Sequence, residues 1–155
     1  MIRSINQSME KSETARSLFF EGHNCAQSVF MSFSSELHCS EEMAAKIAAG
    51  FGAGMGRTQL TCGAVSGAIM VLGLLQGERA NNNEELKTDT YQSVRELMAA
   101  FTGEFGTIRC SELIGCDLNT PEGAARFREE NMMENICAEC VSKAVQIVES
   151  LTPVH

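Results

Sequence analysis

Apolar residues recur at helical spacing along the whole chain, and this regularity restricts the fold more than any other feature. No segment has the two-residue alternation and the β-branched enrichment that are typical of a strand. The sequence therefore predicts an all-α protein, a single compact bundle of about six to eight helices with a Gly-rich loop. The predicted helical segments cover residues 9–20, 25–37, 41–50, 62–75, 84–101, 110–114, 121–133 and 136–152.

Capping residues predict where several of these helices begin. Asn24 is followed three residues later by Gln27, which is the spacing of a capping box. Ser40 precedes two glutamates that suit the positive end of a helix dipole. Thr120-Pro121 places a cap before a proline at the first helical position, and we expect Thr61 to cap the fourth helix.

A glycine stands at every second position of residues 50–56, between the third and fourth helices. Glycine allows a positive φ and a close approach of the main chain, so this segment is predicted to be a specialised loop. We expect Gly52, Gly54 and Gly56, with Gly63 in the following helix, to bind a cofactor through the backbone. An equally weighted interpretation is that these glycines serve only loop geometry and tight helix packing.

Length and composition indicate one domain that spans residues 1–155. With 155 residues, 44% of them hydrophobic, the chain is long enough to bury a core without disulfides. We expect residues 1–5 and 153–155 at the two ends to be flexible. The net charge of −8 and the lack of a lysine or arginine cluster argue against a nucleic-acid partner.

The sequence also gives expectations about location. The first ten residues are polar and have no signal-peptide pattern, which predicts a cytoplasmic protein. The weakly polar stretch over residues 63–75 is too short to cross a bilayer, so we expect no membrane insertion. The sequence leaves a homodimer open.

Seven cysteines in a chain without an export signal indicate thiol or metal chemistry. Four of them are expected at helix starts, where unpaired N–H groups and the dipole lower the pKa of a thiol. These four are Cys25, Cys62, Cys110 and Cys137. Packing as a small hydrophobic residue is the competing interpretation, and it is the one we adopt for Cys140 and for Cys39.

Two other cysteine groupings remain open at the level of sequence. Cys137 and Cys140 form a Cys-x-x-Cys pair at a predicted helix start, the spacing of a dithiol centre, but without the βαβ context of thioredoxin-like proteins. Together with Cys110 and Cys116, the same pair supplies four thiolates for a structural zinc site. The first pair of that set is more widely spaced than in a usual zinc half-site.

Several motifs occur in a fixed order along the chain. They are Asn24-Cys-Ala-Gln27, Phe51-Gly-Ala-Gly-Met-Gly56, Cys62-Gly-Ala-Val-Ser-Gly67, Cys110-Ser-Glu-Leu-Ile-Gly115 and a late Cys137. This set resembles the C_GCAxxG_C_C family, whose members are described as redox-active, over about residues 10–150. The resemblance implies a small helical protein that uses four family cysteines.

By position, the resemblance assigns the metal-binding role to Cys25, Cys62, Cys110 and Cys137. It implies an iron–sulfur cluster, with [2Fe–2S] favoured, in an electron-transfer protein or oxidoreductase that works with a redox partner protein. Cys39, Cys116 and Cys140 are then extra cysteines without an assigned role. A thiol–disulfide protein without metal and a structural zinc protein with four cysteine ligands are the alternatives.

Overall fold

The structure, a computed structural model, describes the backbone of residues 2–153 and the side chains of residues 10–153. The predictions of flexibility for residues 1, 154 and 155 lie outside the described residues. For the rest of the two ends, flexibility stays a prediction.

Eight α-helices and no strand make up the regular structure of residues 2–153, which confirms the all-α prediction. The helices are α1 (Ile2–Phe20), α2 (Cys25–Ser32), α3 (Glu41–Ala48), α4 (Gly63–Gly77), α5 (Asn83–Phe105), α6 (Cys110–Ile114), α7 (Pro121–Glu129) and α8 (Ala138–Leu151). A 3₁₀ turn (Ala49–Phe51) follows α3, and a π-helical turn (Met133–Cys137) precedes α8. Within the described chain, no helix has the length and apolarity needed to cross a membrane.

The main core forms where α4 packs against α2, α5 and α8, while α1 packs against α8 and α2. Its largest fully buried side chains include Phe30, Leu72, Leu97 and Phe101. The helices α2 and α4 approach closely at Gly67, since a Cβ at this position would lie 2.6 Å from the carbonyl oxygen of Ala26. Close packing of these two helices therefore accounts for Gly67.

Most of the predicted caps are present. Asn24 and Gln27 form the capping box, with both hydrogen bonds at 2.9 Å. The Ser40 hydroxyl accepts a hydrogen bond from the Met43 N–H at 3.1 Å, and the Thr120 hydroxyl accepts one from the Gly123 N–H at 3.0 Å. The prediction for Thr61 is wrong, because Cys62 is the N-cap residue of α4 and makes no side-chain capping bond.

Several predicted helix ends are also corrected. The first helix begins at Ile2 rather than at residue 9. The second ends at Ser32 and not near residue 37, because the chain tightens there into turns with i→i+3 hydrogen bonds, the first from the Phe33 N–H to the Phe30 carbonyl. The fifth continues beyond residue 101 to Phe105, where Gly106 ends it with a φ of 81°.

The end of α7 is corrected in the same way. This helix ends at Glu129 instead of near residue 133, and Asn131 follows with a φ of 51°. Asparagine tolerates this left-handed conformation better than most residues do. The chain then re-enters a helix through the π-helical turn, so the last helical stretch begins at Met133 and not near residue 136.

Candidate cysteine site

One cavity of about 230 Å³ is lined by five of the seven cysteines. They are Cys25, Cys62, Cys110, Cys137 and Cys140, and all seven cysteines of the chain are free thiols. The rest of the wall is almost entirely apolar and includes Phe19, Leu113, Ile114, Leu118, Phe127, Met133 and Ile136. The four cysteines predicted as ligands therefore meet at one place, although they are far apart in the sequence.

Cys25 is held at the first position of α2 by the capping box that precedes it. The side chain of Asn24 also donates a hydrogen bond to the carbonyl of Ala49 at 3.0 Å, and Gln27 donates one to the carbonyl of Ala45 at 2.9 Å. These two bonds fix the start of α2 against the end of α3 and the 3₁₀ turn. The position of Cys25 thus depends on two helices.

Cys62 and Cys110 are brought together by an isolated antiparallel bridge between Thr61 and Arg109. The Cys62 N–H donates to the carbonyl of Ile108 at 2.8 Å, and the Cys110 N–H donates to the carbonyl of Leu60 at 2.7 Å. This pairing occupies the backbone around Thr61, which explains why that residue does not act as a helix cap. It also sets the starts of α4 and α6 side by side.

Cys137 and Cys140 lie one helical turn apart, so both face the cavity. Cys137 is the last residue of the π-helical turn and is followed directly by α8. Because helical residues precede it, Cys137 does not lie at a free helix start, so the position predicted from the sequence is wrong for this cysteine. Cys140 is only 1% exposed, as expected for a core residue, yet it also faces the other cysteines.

Four of the thiols interact in two pairs. The interaction of Cys25 with Cys137, together with burial, raises the pKa of Cys25 well above its usual value. The interaction of Cys62 with Cys140, with hydrogen bonds from the N–H groups of Ala64 and Val65, lowers the pKa of Cys62. The interaction with Cys62, followed by burial, raises the pKa of Cys140.

Burial in the apolar wall, followed by the nearby cysteines, raises the pKa of Cys110 to about 12. The prediction that a helix start lowers the thiol pKa is therefore wrong for Cys25 and Cys110. At Cys25 the hydrogen bond with Cys137, followed by burial, outweighs the helix dipole. At Cys110 loss of hydration outweighs it, since an apolar environment disfavours the thiolate. The prediction agrees with the structure at Cys62, where backbone N–H groups and a neighbouring thiol all point at the sulfur.

The donor set of the cavity consists of sulfur atoms, which suit an iron–sulfur cluster or zinc. Among the described residues, no group of three or more histidine, cysteine, aspartate or glutamate side chains has the arrangement of a metal-ligand set. The five cysteines therefore suit a thiolate-bound group by their chemistry and shared location, and not by the arrangement of their sulfur atoms.

Two cysteines are not among the residues that line the cavity. The Cys116 sulfur contacts the sulfur of Met132 at 3.9 Å, and the Cys39 thiol contacts the carbonyl of Ser40 at 3.6 Å. The zinc alternative that used Cys116 would therefore take one ligand from outside the cavity wall.

The Gly-rich loop forms a left-handed turn beside the cavity. Residues 53–57 all have φ between 48° and 70°, and Gly54 is required there because a Cβ would lie 2.5 Å from the Leu60 nitrogen. Ala53 and Gly63 line the cavity, whereas Gly52, Gly54 and Gly56 do not. The binding role predicted for these glycines stays a prediction.

Close packing accounts for two of the predicted cofactor-binding glycines. A Cβ on Gly63 would lie 3.0 Å from the Phe51 carbonyl oxygen and 3.1 Å from the Cβ of Cys25. One on Gly52 would lie 2.6 Å from the Cβ of Asn24. Both glycines therefore let the loop and α4 lie directly against the start of α2.

Gln59 is a buried polar residue that the sequence analysis did not single out. Its side chain donates to the Cys116 carbonyl at 2.8 Å and accepts from the Leu118 N–H at 2.8 Å. Arg57 adds a hydrogen bond to the Leu118 carbonyl at 3.0 Å. The left-handed turn thereby holds the segment after α6, which closes one side of the cavity. No local sequence signal marks Gln59, because its partners are more than fifty residues away.

Comparison with known proteins gives one match. The family model described as "Putative redox-active protein (C_GCAxxG_C_C)" matches residues 23–151, a range that contains every cysteine of the chain. No curated protein and no solved structure matches the chain.

Proposed function

Because this chain belongs to the C_GCAxxG_C_C family of redox-active proteins, we propose that it binds an iron–sulfur cluster for electron transfer. Cys25, Cys62, Cys110 and Cys137 are the proposed ligands, and [2Fe–2S] is the proposed cluster type. The observation that carries the proposal is that these four cysteines, from four separate segments, line one apolar cavity. The proposal implies a partner protein that supplies or accepts the electron.

The number of cysteines favours a metal centre over a simple dithiol centre. A dithiol needs two sulfurs, whereas five line this cavity. The N–H groups of Ala64 and Val65 already donate to the Cys62 sulfur. Such bonds offset the negative charge of a thiolate-bound group and tune its reduction potential.

A bound cluster would accept and release single electrons. The chain itself supplies thiolate ligands, N–H donors and an apolar wall that keeps water from the sulfur atoms. Since burial raises the pKa of Cys110 to about 12, its thiol is protonated at neutral pH before anything binds. Binding of iron to this sulfur must therefore release a proton, and we expect cluster binding to be more favourable as the pH rises.

The experiment is anaerobic purification followed by a visible spectrum and by iron, sulfide and zinc analysis. The wild type is compared with Cys62→Ser and with Cys39→Ser, a matched control outside the cavity wall. We expect iron, sulfide and visible absorbance in the wild type and in the control, and their loss in Cys62→Ser.

The other outcomes contradict the cluster and identify the alternatives. A colourless protein without iron, whose cysteines titrate as thiols, indicates thiol–disulfide chemistry. A colourless protein with stoichiometric zinc, which unfolds when a chelator is added, indicates a structural zinc site.

A further inference from the structure

We infer that Cys62 and Cys140 form a reversible disulfide inside the cavity and that this bond withdraws Cys62 from the cluster ligands. The second half of this inference rests on the proposed function, whereas the first half does not. It gives a role to Cys140, which lies outside the set of four family cysteines.

The two side chains lie side by side. Cys62 and Cys140 interact directly, and both line the cavity. Cys62 is 6% exposed and Cys140 is 1% exposed, so a small disulfide would reach their sulfur atoms through the cavity that both line. A thiol held against a second thiol is placed for disulfide formation, since exchange requires direct contact between sulfur atoms.

The two cysteines are fixed by different elements. Cys62 is the N-cap residue of α4, and its N–H donates to the carbonyl of Ile108. Cys140 lies in the first turn of α8, which packs against α4 in the main core. A bond between them would join two helices that already touch.

The oxidant is a low-molecular-weight disulfide. The Cys62 thiolate attacks one sulfur of that disulfide, which forms a mixed disulfide and releases one thiolate. Cys140 then loses its proton and attacks the Cys62 sulfur, which forms the Cys62–Cys140 bond and releases the second thiolate. Two cysteine thiols are oxidised, one external disulfide is reduced to two thiols, and the two protons pass to those leaving thiolates.

Cluster binding and the disulfide exclude each other, because a sulfur in a disulfide is not available as a thiolate ligand. Cys25, Cys110 and Cys137 would keep their thiols. Reduction of the disulfide would restore the fourth ligand. The cavity would then alternate between a state that can receive iron and a state that cannot.

The first test maps disulfides in the full-length, metal-free wild type equilibrated with oxidised and reduced dithiothreitol. Free thiols are alkylated, and the linked peptides are identified by mass spectrometry. We expect one linked pair, Cys62 with Cys140, that disappears on reduction and is equally present in Cys39→Ser. Linkage of Cys25 to Cys137, any other pairing, or seven free thiols would overturn the inference.

The second test measures iron uptake by oxidised and reduced protein, with Cys140→Ser as the variant. We expect oxidation to abolish uptake by the wild type and to leave Cys140→Ser unaffected. If the disulfide forms but no reduced protein binds iron, the proposed function fails and the disulfide stands. If iron binds but the disulfide does not form, only this inference fails. Circular dichroism establishes that the variant is folded, and the wild-type mapping does not depend on it.

Discussion

Two regions of the molecule bury their apolar groups by different means. One is the bundle formed by α1, α4, α5 and α8, and the other is the cysteine region, formed by residues 49–62 and 106–137. In the bundle, fully buried side chains such as Leu72, Leu97 and Val145 pack between regular helices. The cysteine region contains a left-handed turn, a single bridge, a five-residue helix and a π-helical turn. The stability of the bundle therefore depends on buried apolar contacts, whereas the irregular backbone of the cysteine region depends on individual hydrogen bonds and glycines.

The largest expected effect comes from Phe101→Ala in the bundle. Phe101 is completely buried, so its loss removes apolar contacts and leaves a cavity, with a cost of about 3–5 kcal/mol in the free energy of unfolding. The matched variant is Phe127→Ala in the cysteine region, where the phenylalanine is only partly buried and the cost is smaller. Denaturant unfolding of both variants measures the difference. An equal or larger loss for Phe127→Ala would remove the distinction between the two regions.

Gln59→Leu is expected to have an intermediate and local effect. It leaves the Cys116 carbonyl and the Leu118 N–H without their side-chain partner, at a cost of about 1–3 kcal/mol. Alkylation of Cys110 and Cys116, followed by mass spectrometry, should become faster, while Cys39 should react as before. Gln92→Leu on the exposed side of α5 is the control and should change neither stability nor alkylation. Unchanged alkylation in Gln59→Leu would contradict the role given to this side chain.

The smallest expected effect is a change in stability that has opposite signs at two partly exposed methionines. Met55 has a φ of 68°, which costs a non-glycine residue roughly 1–2 kcal/mol, so Met55→Gly should stabilise the protein by about 1 kcal/mol. Met43, in the first turn of α3, is 52% exposed, and Met43→Gly should destabilise by about 0.5–1 kcal/mol. Thermal unfolding compares the two. The same sign for both would show that the left-handed turn is not strained.

The sequence predicts the bundle well because its signals are local. Helical spacing and the capping box of Asn24 and Gln27 act within a few residues, and both survive in the folded chain. The resemblance to a family selects Cys25, Cys62, Cys110 and Cys137, and the structure places all four on one cavity. Local patterns predict local structure, and the ordered motifs add which residues belong together.

The remaining features depend on partners that are distant in sequence. The positions of these features cannot be predicted from a short stretch of sequence. Thr61 pairs with Arg109, and Gln59 binds the segment after α6. The π-helical turn that carries Cys137 has no local signal. Cys140 lies on an apolar helix face that looks the same whether it faces a core or a cavity of thiols. Its place in the Cys-x-x-Cys pair was the one available indication.

The small core of Cys110, Ile114 and Met132 has a consequence for how the molecule opens. This cluster is separate from the main core, and Ile136 and Cys137 pack against both. We therefore expect residues 106–137 to unfold at a free energy below that of global unfolding. Amide protons of α6 and α7 should exchange with solvent well before those of α4, because the cavity wall opens while the bundle stays folded.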